Sequence, residues 1–435
     1  MYPNLYYAFK DFFGVEWPAL RFINSFGFFV AFAFLAAAYV LTQELRRRER
    51  LGLLQFTEMK IVVGRTATMS ELVFNFILGF LLGYKILGLF LADKSVTDDP
   101  QAFIFSTQGH LPAGLLLGGI FVFIKWWEKN KQKLAKPEER TIRIWPRDRV
   151  GDMVILAAVF GFLGAKIFHN LENWNEFWRS PIEALLSFSG LTFYGGLICA
   201  TIAIIWYAKK HRIAVRHLAD SIAPALMVAY AIGRIGCQVS GDGDWGILNS
   251  AYISSPEGKV VRSDSATFNK TLAANSAIYM EQSGYTSIDQ VQHKEVVGAS
   301  WLPTWMIAYN FPRNVINEGV TLKDCSGQYC RQLPIPAFPT AFYETVICLL
   351  LTALLFFLRS RISIPGTIFA IYLVLNGLER FFIEKIRVNT QYDIAGFHPT
   401  QAEIISSFLI LTGIILFVFC NRTNKPDKNL KTATV

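Results

Sequence analysis

Charge is what this sequence has least of. Asp, Glu, Lys and Arg make up 17% of its 435 residues, where a soluble globular domain carries roughly 25%, and this excludes a chain surrounded by water on all sides. Acids are scarcer than bases, 33 against 42, yet no RNA- or DNA-binding motif accompanies the surplus, so nucleic acid is not an expected partner. The opening Met-Tyr-Pro-Asn-Leu-Tyr-Tyr lacks the basic n-region and small-residue cleavage site of a signal peptide, and the first helix is expected to stay as an anchor. Of six cysteines, Cys199, Cys348 and Cys420 sit in apolar segments, where a free thiol behaves as a small hydrophobe. Cys325 and Cys330 share a polar stretch and can close a small disulfide loop. With no second Cys or His pair nearby, zinc is not expected. The Ser240-Gly-Asp-Gly-Asp-Trp-Gly246 turn misses calcium-loop spacing, so the sequence implies neither metal nor cofactor.

What is abundant is hydrocarbon. Hydrophobic residues are 52% of the chain, the mean hydropathy is positive, and the apolar runs are long enough to span a bilayer. The expected fold is an all-α polytopic membrane protein with about nine transmembrane helices, near 19–43, 69–92, 109–127, 150–170, 188–208, 218–240, 339–358, 364–386 and 401–421. Basic loops follow helices 1, 3, 5 and 7: Arg46 to Arg50, Lys125 to Arg149, Lys209 to Arg212, and Arg359-Ser-Arg361. Such loops mark the cytoplasmic side, which puts the N-terminus outside and the C-terminus, with Lys425, Lys428 and Lys431, inside. The net charge of +9 is thereby a topology signal. Residues 1–240 carry helices 1–6, 241–338 form an extracytoplasmic insert, 339–421 carry helices 7–9, and 422–435 are a cytoplasmic tail. In the insert, Trp301 to Trp305 and Tyr309-Asn-Phe311 point to partial insertion at the membrane interface. No nucleophile triad or metal cluster is visible there. In helix 1, Asn24, Ser25 and Gly27 read as a packing notch or part of a polar cleft.

Residues 70–130 and 151–211 repeat with an offset of 81. Ser70-Glu-Leu-Val matches Gly151-Asp-Met-Val, Leu82-Gly-Tyr-Lys-Ile86 matches Leu163-Gly-Ala-Lys-Ile167, and Ser106, Gly109 and Gly114 match Ser187, Gly190 and Gly195. Each unit is a helical hairpin of the same orientation, unlike the inverted repeats of many transporters. The copies differ at their outer entrance: Phe193-Tyr194-Gly195-Gly196 in the second, Pro112-Ala-Gly-Leu in the first. Lys85 and Lys166 are expected to snorkel toward headgroups.

Fixed charge concentrates near the outer ends of a few helices. At 100° per residue, Asn376, Arg380, Glu384 and Arg387 fall within an arc of about 80° and form one polar stripe, with Glu379 just off it. Ionisable groups in a membrane helix usually face a site or a watery cavity. The alternatives are a structural ion pair for Arg380 with Glu384, and interfacial snorkelling for Lys385 and Arg387. Tyr230 and Arg234 lie one turn apart on the sixth helix. In the expected topology Tyr194, Arg234, Tyr343, Glu344, Arg380, Glu384, His398 and Gln401 all lie near the outer face. Two arginines among acids and hydroxyls at headgroup depth suit a phosphate or phosphodiester, because guanidinium offers forked donors and permanent charge. A phospholipid of the outer leaflet is the expected ligand.

These stretches resemble the bacterial prolipoprotein diacylglyceryl transferases. Gly233-Arg234-Ile-Gly236 with the polar turn to Trp245-Gly246 is similar to the family signature, Phe338-Pro-Thr-Ala-Phe-Tyr343-Glu344 resembles its Pro-Ser-Gln-Leu-Tyr-Glu stretch, and Arg380-Phe-Phe-Ile-Glu384 its Arg-x-x-x-Glu helix. Gln401 stands where the family's last helix has Gly-Gln. The family carries His-Gly-Gly where this chain has Tyr194-Gly-Gly, and Gly-Asn-Phe-x-Asn-Gly-Glu where this chain reads Gly236-Cys-Gln-Val-Ser-Gly-Asp242. It also has seven helices rather than nine, which fits a divergent member with an extra hairpin. The resemblance implies transfer of the diacylglyceryl group of phosphatidylglycerol to the thiol of a lipobox cysteine in a prolipoprotein signal peptide, with release of glycerol phosphate, at the outer leaflet of a bacterial cytoplasmic (inner) membrane. It implies Arg234 and Arg380 as phosphate holders, Glu384 orienting Arg380, and Tyr194 as hydrogen-bond donor or weak base. Tyr343, Glu344, Asp242, Asn376, His398 and Gln401 are the expected substrate-binding residues, with His398 a second candidate base. Two other readings stand beside it, a non-catalytic lipid- or lipoprotein-binding paralogue and a transporter. Polar groups confined to one leaflet argue against the latter.

Overall fold

Pro18 and Asn24 decide where the first long helix starts. In the computed structural model, α1 (Leu5–Phe13) leads into a 3-10 turn at Pro18–Phe22, and the Asn24 side chain accepts a hydrogen bond from the Phe26 N–H at 2.8 Å, capping α2 (Ser25–Arg50). Asn24 is thus a cap, and the helix begins later than the expected 19 and runs on through the basic stretch. The structure describes residues 1–91, 103–104, 106–186, 192–283, 287–389, 392 and 398–423. Asp98, Ser187 and Gly190 of the repeat, and the tail lysines 425, 428 and 431 lie outside them. The chain divides into two compact units, Met1–Leu53 with Arg216–Val435, and Leu54–Val215.

In the second unit, α3 (Met69–Leu91) packs on α4 (Leu111–Lys131), and α5 (Val150–Glu172) packs on α6 (Phe193–Lys210). Gly83 and Gly164, aligned by the 81-residue offset, occupy equivalent close contacts. A Cβ on Gly83 would lie 2.3 Å from the Ala113 carbonyl oxygen, and one on Gly164 would lie 2.4 Å from that of Gly195, so glycine sets the helix approach in both hairpins. Lys85 is engaged within the protein. Its ammonium donates to the carbonyls of Phe103 at 3.0 Å, Ser106, and Gln108 at 2.7 Å. Lys166 is buried, 4% exposed. Two stretches expected as loops pair as strands: β1 (Thr57–Val63) runs antiparallel to β2 (Glu138–Ile144), with Met59 opposite Ile142. Their alternation of apolar and charged residues is the strand signal.

In the first unit, α7 (Val215–Ser240), α8 (Thr340–Leu358) and α9 (Thr367–Glu384) meet around Ala223, Met227, Cys348, Leu355 and Ile368, and α10 (Gln401–Thr423) packs on α9. Gly366, at φ +91°, turns the chain into α9. The freed N–H groups of Gly366 and Phe369 donate to Asp220 of α7 at 2.8 and 2.9 Å. Arg48 reaches the same carboxylate at 3.4 Å and His217 at 3.0 Å. Glu44 pairs with Arg47 at 3.3 Å and with Arg359. Part of the basic run expected as a loop is therefore interior helix: Arg48 is 2% exposed, and Glu44, just before the run, 1%.

The insert has a core of its own, built on Trp245, Phe268, Leu272, Phe311, Leu333 and Ile335, and Cys325 and Cys330 are joined by a disulfide. Phe311 is buried against Trp245, ring centroids 5.0 Å apart, so the Tyr309-Asn-Phe311 piece serves this core instead of the membrane interface. Trp301 and Trp305 remain exposed.

Seven helices among the described residues are long and apolar enough to cross a membrane: α2, α3, α4, α5, α7, α8 and α10. The chain is a mostly helical, multi-pass membrane protein. The other two expected spans are α6 and α9, helices of 18 residues each.

Candidate active site

The turn after α7 determines what meets at the ends of α8 and α9. Gly241 and Gly243, at φ +65° and +96°, bend the chain back. The Gly246 N–H then donates to the Phe338 carbonyl at 2.8 Å, and the Ile247 N–H to that of Ile386 at 2.9 Å. A Cβ on Gly246 would lie 2.6 Å from the Ile386 oxygen, which is the physical reason for glycine after Trp245. Thr340 Oγ1 donates to the Asp244 carbonyl at 2.8 Å. The turn is thereby stitched between the start of α8 and the end of α9.

Glu344, on the second turn of α8 and fully buried, is the hub of the resulting cluster. Arg234 Nε approaches one of its oxygens at 2.7 Å, while Arg380 and Arg387 approach the other at 3.2 and 3.6 Å. The Tyr230 hydroxyl donates to Glu344 at 3.3 Å. Arg380 also pairs with Glu384 at 3.1 Å, and Glu384 accepts from the Asn389 amide at 2.6 Å. Asp244 closes the front by bridging Arg234 and Arg387. Three guanidiniums and three carboxylates thus come together from three helices, the turn after α7 and the segment after α9. Their depths differ. The side chains of Glu344 and Glu384 are 0% exposed, whereas those of Arg234 and Arg380 are 14% and 20%, so the acids stand behind and the arginines keep an accessible face. Buried arginines held by acids at their rear are oriented without being used up, since each guanidinium carries five donors in a planar fork.

The aspartates of the turn have opposite electrostatics. Burial works to raise Asp244, but Arg387 and Arg234 outweigh it and hold the carboxyl below its ordinary value. Asp242 is raised, by burial first and then by the charge of Asp244. Cys237, Asp242 and Asp244 bring one ligand atom each within 4.8 Å of one another. With two guanidiniums already on Asp244, that group is poorly disposed to a cation.

Of the residues expected from sequence, Arg234, Arg380, Glu344 and Glu384 come together, with Asp242 in the adjoining turn. Tyr343 points elsewhere, its hydroxyl donating to the Met306 carbonyl at 2.5 Å. Asn376 is half-buried one turn from Arg380, and His398 and Gln401 are exposed. None of these three enters the described hydrogen bonds of the cluster. Tyr194 belongs to the other compact unit, on the first turn of α6. Arg387 is a correction: its side chain is 9% exposed and doubly paired, not snorkelling. Its place on the polar stripe was the available signal. Asp244 and Tyr230 were visible only as a residue of a glycine-rich turn and a helical neighbour of Arg234.

A family model for prolipoprotein diacylglyceryl transferase matches residues 114–419. The chain is 24% identical to the phosphatidylglycerol–prolipoprotein diacylglyceryl transferase of Clostridium novyi over 279 residues, covering 64% of this chain and 82% of that protein. It is 24% identical to the Dehalococcoides mccartyi protein of the same name over 283 residues, 65% and 81% of the two chains. Against the Leptospira interrogans protein of that name the identity is 32% over 181 residues, 36% and 51%.

Proposed function

We infer the function from one premise: the chain belongs to the prolipoprotein diacylglyceryl transferase family. It is a membrane transferase that moves the diacylglyceryl group of phosphatidylglycerol to a prolipoprotein thiol and releases glycerol phosphate. The acceptor is the lipobox cysteine, and the reaction takes place at the outer leaflet of the bacterial cytoplasmic membrane. The loop charges support nine crossings with the basic loops inside, an arrangement that would set Arg234, Glu344 and Arg380 at that leaflet.

The observation that carries the site assignment is the ring of three arginines on buried Glu344. Sulfur attacks a glyceryl carbon, the carbon–oxygen bond to phosphate breaks, and the phosphate gains charge as it leaves. Donors already oriented toward that charge need no reorganisation during the step. Arg234 and Arg380 hold the phosphate, with Arg387 beside them. Glu344 and Glu384 keep the guanidiniums in place, and their burial makes each pair costly to break. Asp242 shapes the approach to the headgroup.

Purified protein incubated with phosphatidylglycerol and a lipobox peptide should yield S-diacylglyceryl peptide and glycerol phosphate, and a Cys-to-Ser peptide should yield neither. Binding of both ligands without product would favour the non-catalytic paralogue. Lipid flux in liposomes without transfer would favour a transporter.

A further inference from the structure

Thiol attack needs a group that moves a proton, and the cluster of arginine–carboxylate pairs has none to spare. Beside it, across the seam of α8 and α9, lies a cavity of about 430 Å³. Adjacent residues on each helix divide between the two spaces: Glu344 and Arg380 pair in the cluster, while their neighbours Tyr343 and Glu379 line the cavity. The remaining wall is apolar, including Ile347, Leu375, Phe382 and Ile386. Tyr343 has its hydroxyl engaged at Met306. Glu379 is 6% exposed; the Tyr230 hydroxyl stands beside its carboxyl but donates to Glu344 at 3.3 Å, so neither Glu379 oxygen is held at good hydrogen-bond geometry. The groups that act on it electrostatically are Tyr230 and Arg234 from α7, Glu344 and Cys348 from α8, and Arg380 on its own helix. A carboxyl so loosely satisfied in a largely apolar cavity of a membrane helix is costly to keep and points to a use.

We propose that Glu379 is a catalytic residue that carries the proton of the transfer reaction, with the acceptor's apolar lipobox segment in this cavity and its thiol at the carboxyl. The proposal rests on the transferase reading above. As the S–C bond forms and the C–O bond breaks, leaving its electron pair on phosphate oxygen, one oxygen of the neutral carboxyl takes the thiol proton. The other gives its own proton to the departing phosphate. Atoms and charge balance, and Glu379 ends neutral, which suits its apolar wall. Both unspent oxygens are needed.

The test uses the full-length protein in lipid nanodiscs containing phosphatidylglycerol, a lipobox peptide, and the variants Glu379→Gln and Glu379→Leu. Transfer by Glu379→Gln should fall roughly a hundredfold or more at neutral pH in a folded protein, and Glu379→Leu, which removes the loosely satisfied buried group, should fall as far with a thermal midpoint equal to or above that of the parent. The residual rate of Glu379→Gln should climb about tenfold per pH unit toward the thiol's ordinary range near 8.5, as water takes over the deprotonation, so the gap to the parent narrows. Glu379→Leu keeps the measurement decisive if the glutamine variant folds poorly. Transfer within about threefold of the parent, a parent-to-variant ratio constant with pH, or a fall in midpoint that accounts for the loss in both variants would overturn the role of Glu379 while leaving the transferase reading intact. A parent protein that transfers nothing would bring down both.

Discussion

At the scale of single residues, the cluster was half legible. Arg380 and Glu384 sit on one helical stripe, and periodicity alone predicts that they share a face, whereas Arg234 and Glu344, on two other helices, were legible from the motifs around them. Arg387 lay on the same stripe but next to Lys385, and a terminal arginine reads equally well as a snorkelling group until its partners are seen. Asp244 escaped because one of its two partners, Arg387, lies 143 residues further along the chain, in the segment after α9. Its electrostatics give a signed prediction. Asp244 has a folded pKa below its unfolded value, so its contribution to stability is present above about pH 4 and is lost as pH falls toward the lower folded pKa. Asp242 has a raised folded pKa, so its charge costs stability at neutral pH and the cost disappears on acidification. Thermal midpoints in detergent, followed from about pH 7 to 3, should show Asp244→Asn losing part of the parent's acid-side slope. Asp242→Asn should melt above the parent at neutral pH. The opposite order would mean that the arginines do not hold Asp244.

At the scale of elements, helices were legible and their ends were not. Apolar runs marked each span, but caps and turns decided the boundaries: Asn24 for α2, and Gly366 with Asp220 for α9. The strand pair β1–β2 escapes local pattern reading because its two short alternating stretches are separated by the hairpin α3–α4, with 74 residues between Val63 and Glu138. The buried clamp of Arg48 and Asp220 was missed because a basic run at a helix end reads as a loop. Breaking a buried pair by removing one partner costs about 3 to 5 kcal/mol. Asp220→Ala, which also uncaps α9, should therefore lower the thermal midpoint sharply, whereas an alanine at the exposed Lys10–Glu16 pair should scarcely move it. The hairpin of α3 and α4 is the other element-scale case. Its outer entrance has no Tyr-Gly-Gly, and no arginine comparable to Arg234 follows it. A substitution scan over 70–130 should leave transfer nearly intact in every variant that remains folded, and selective loss of turnover there would assign the hairpin a catalytic part.

At the scale of the whole molecule, composition was the most informative feature: scarce charge and long apolar runs established a multi-pass membrane protein before any motif was read. The insert was the least legible, because a small core of scattered aromatics such as Trp245 and Phe311 has no period to detect. Membrane orientation, proposed from the basic loops, is directly testable. Cysteines introduced at Ser254 and Asp98 should label from outside the cell and one at Lys131 should not; outside labelling at Lys131 would overturn the nine-crossing topology. The central claim, that the arginines hold the phosphate as it departs, is tested most directly by diacylglyceryl transfer to a lipobox peptide by Arg380→Lys, measured beside Arg380→Ala, the Arg380→Leu/Glu384→Leu double variant, and their thermal stabilities. Lysine keeps the charge but loses the planar fork, so Arg380→Lys should fail almost as badly as alanine, by about a hundredfold to a thousandfold, while remaining folded. Near-parental transfer by Arg380→Lys, or by the double variant, would contradict the account and leave Arg380 a structural partner of Glu384.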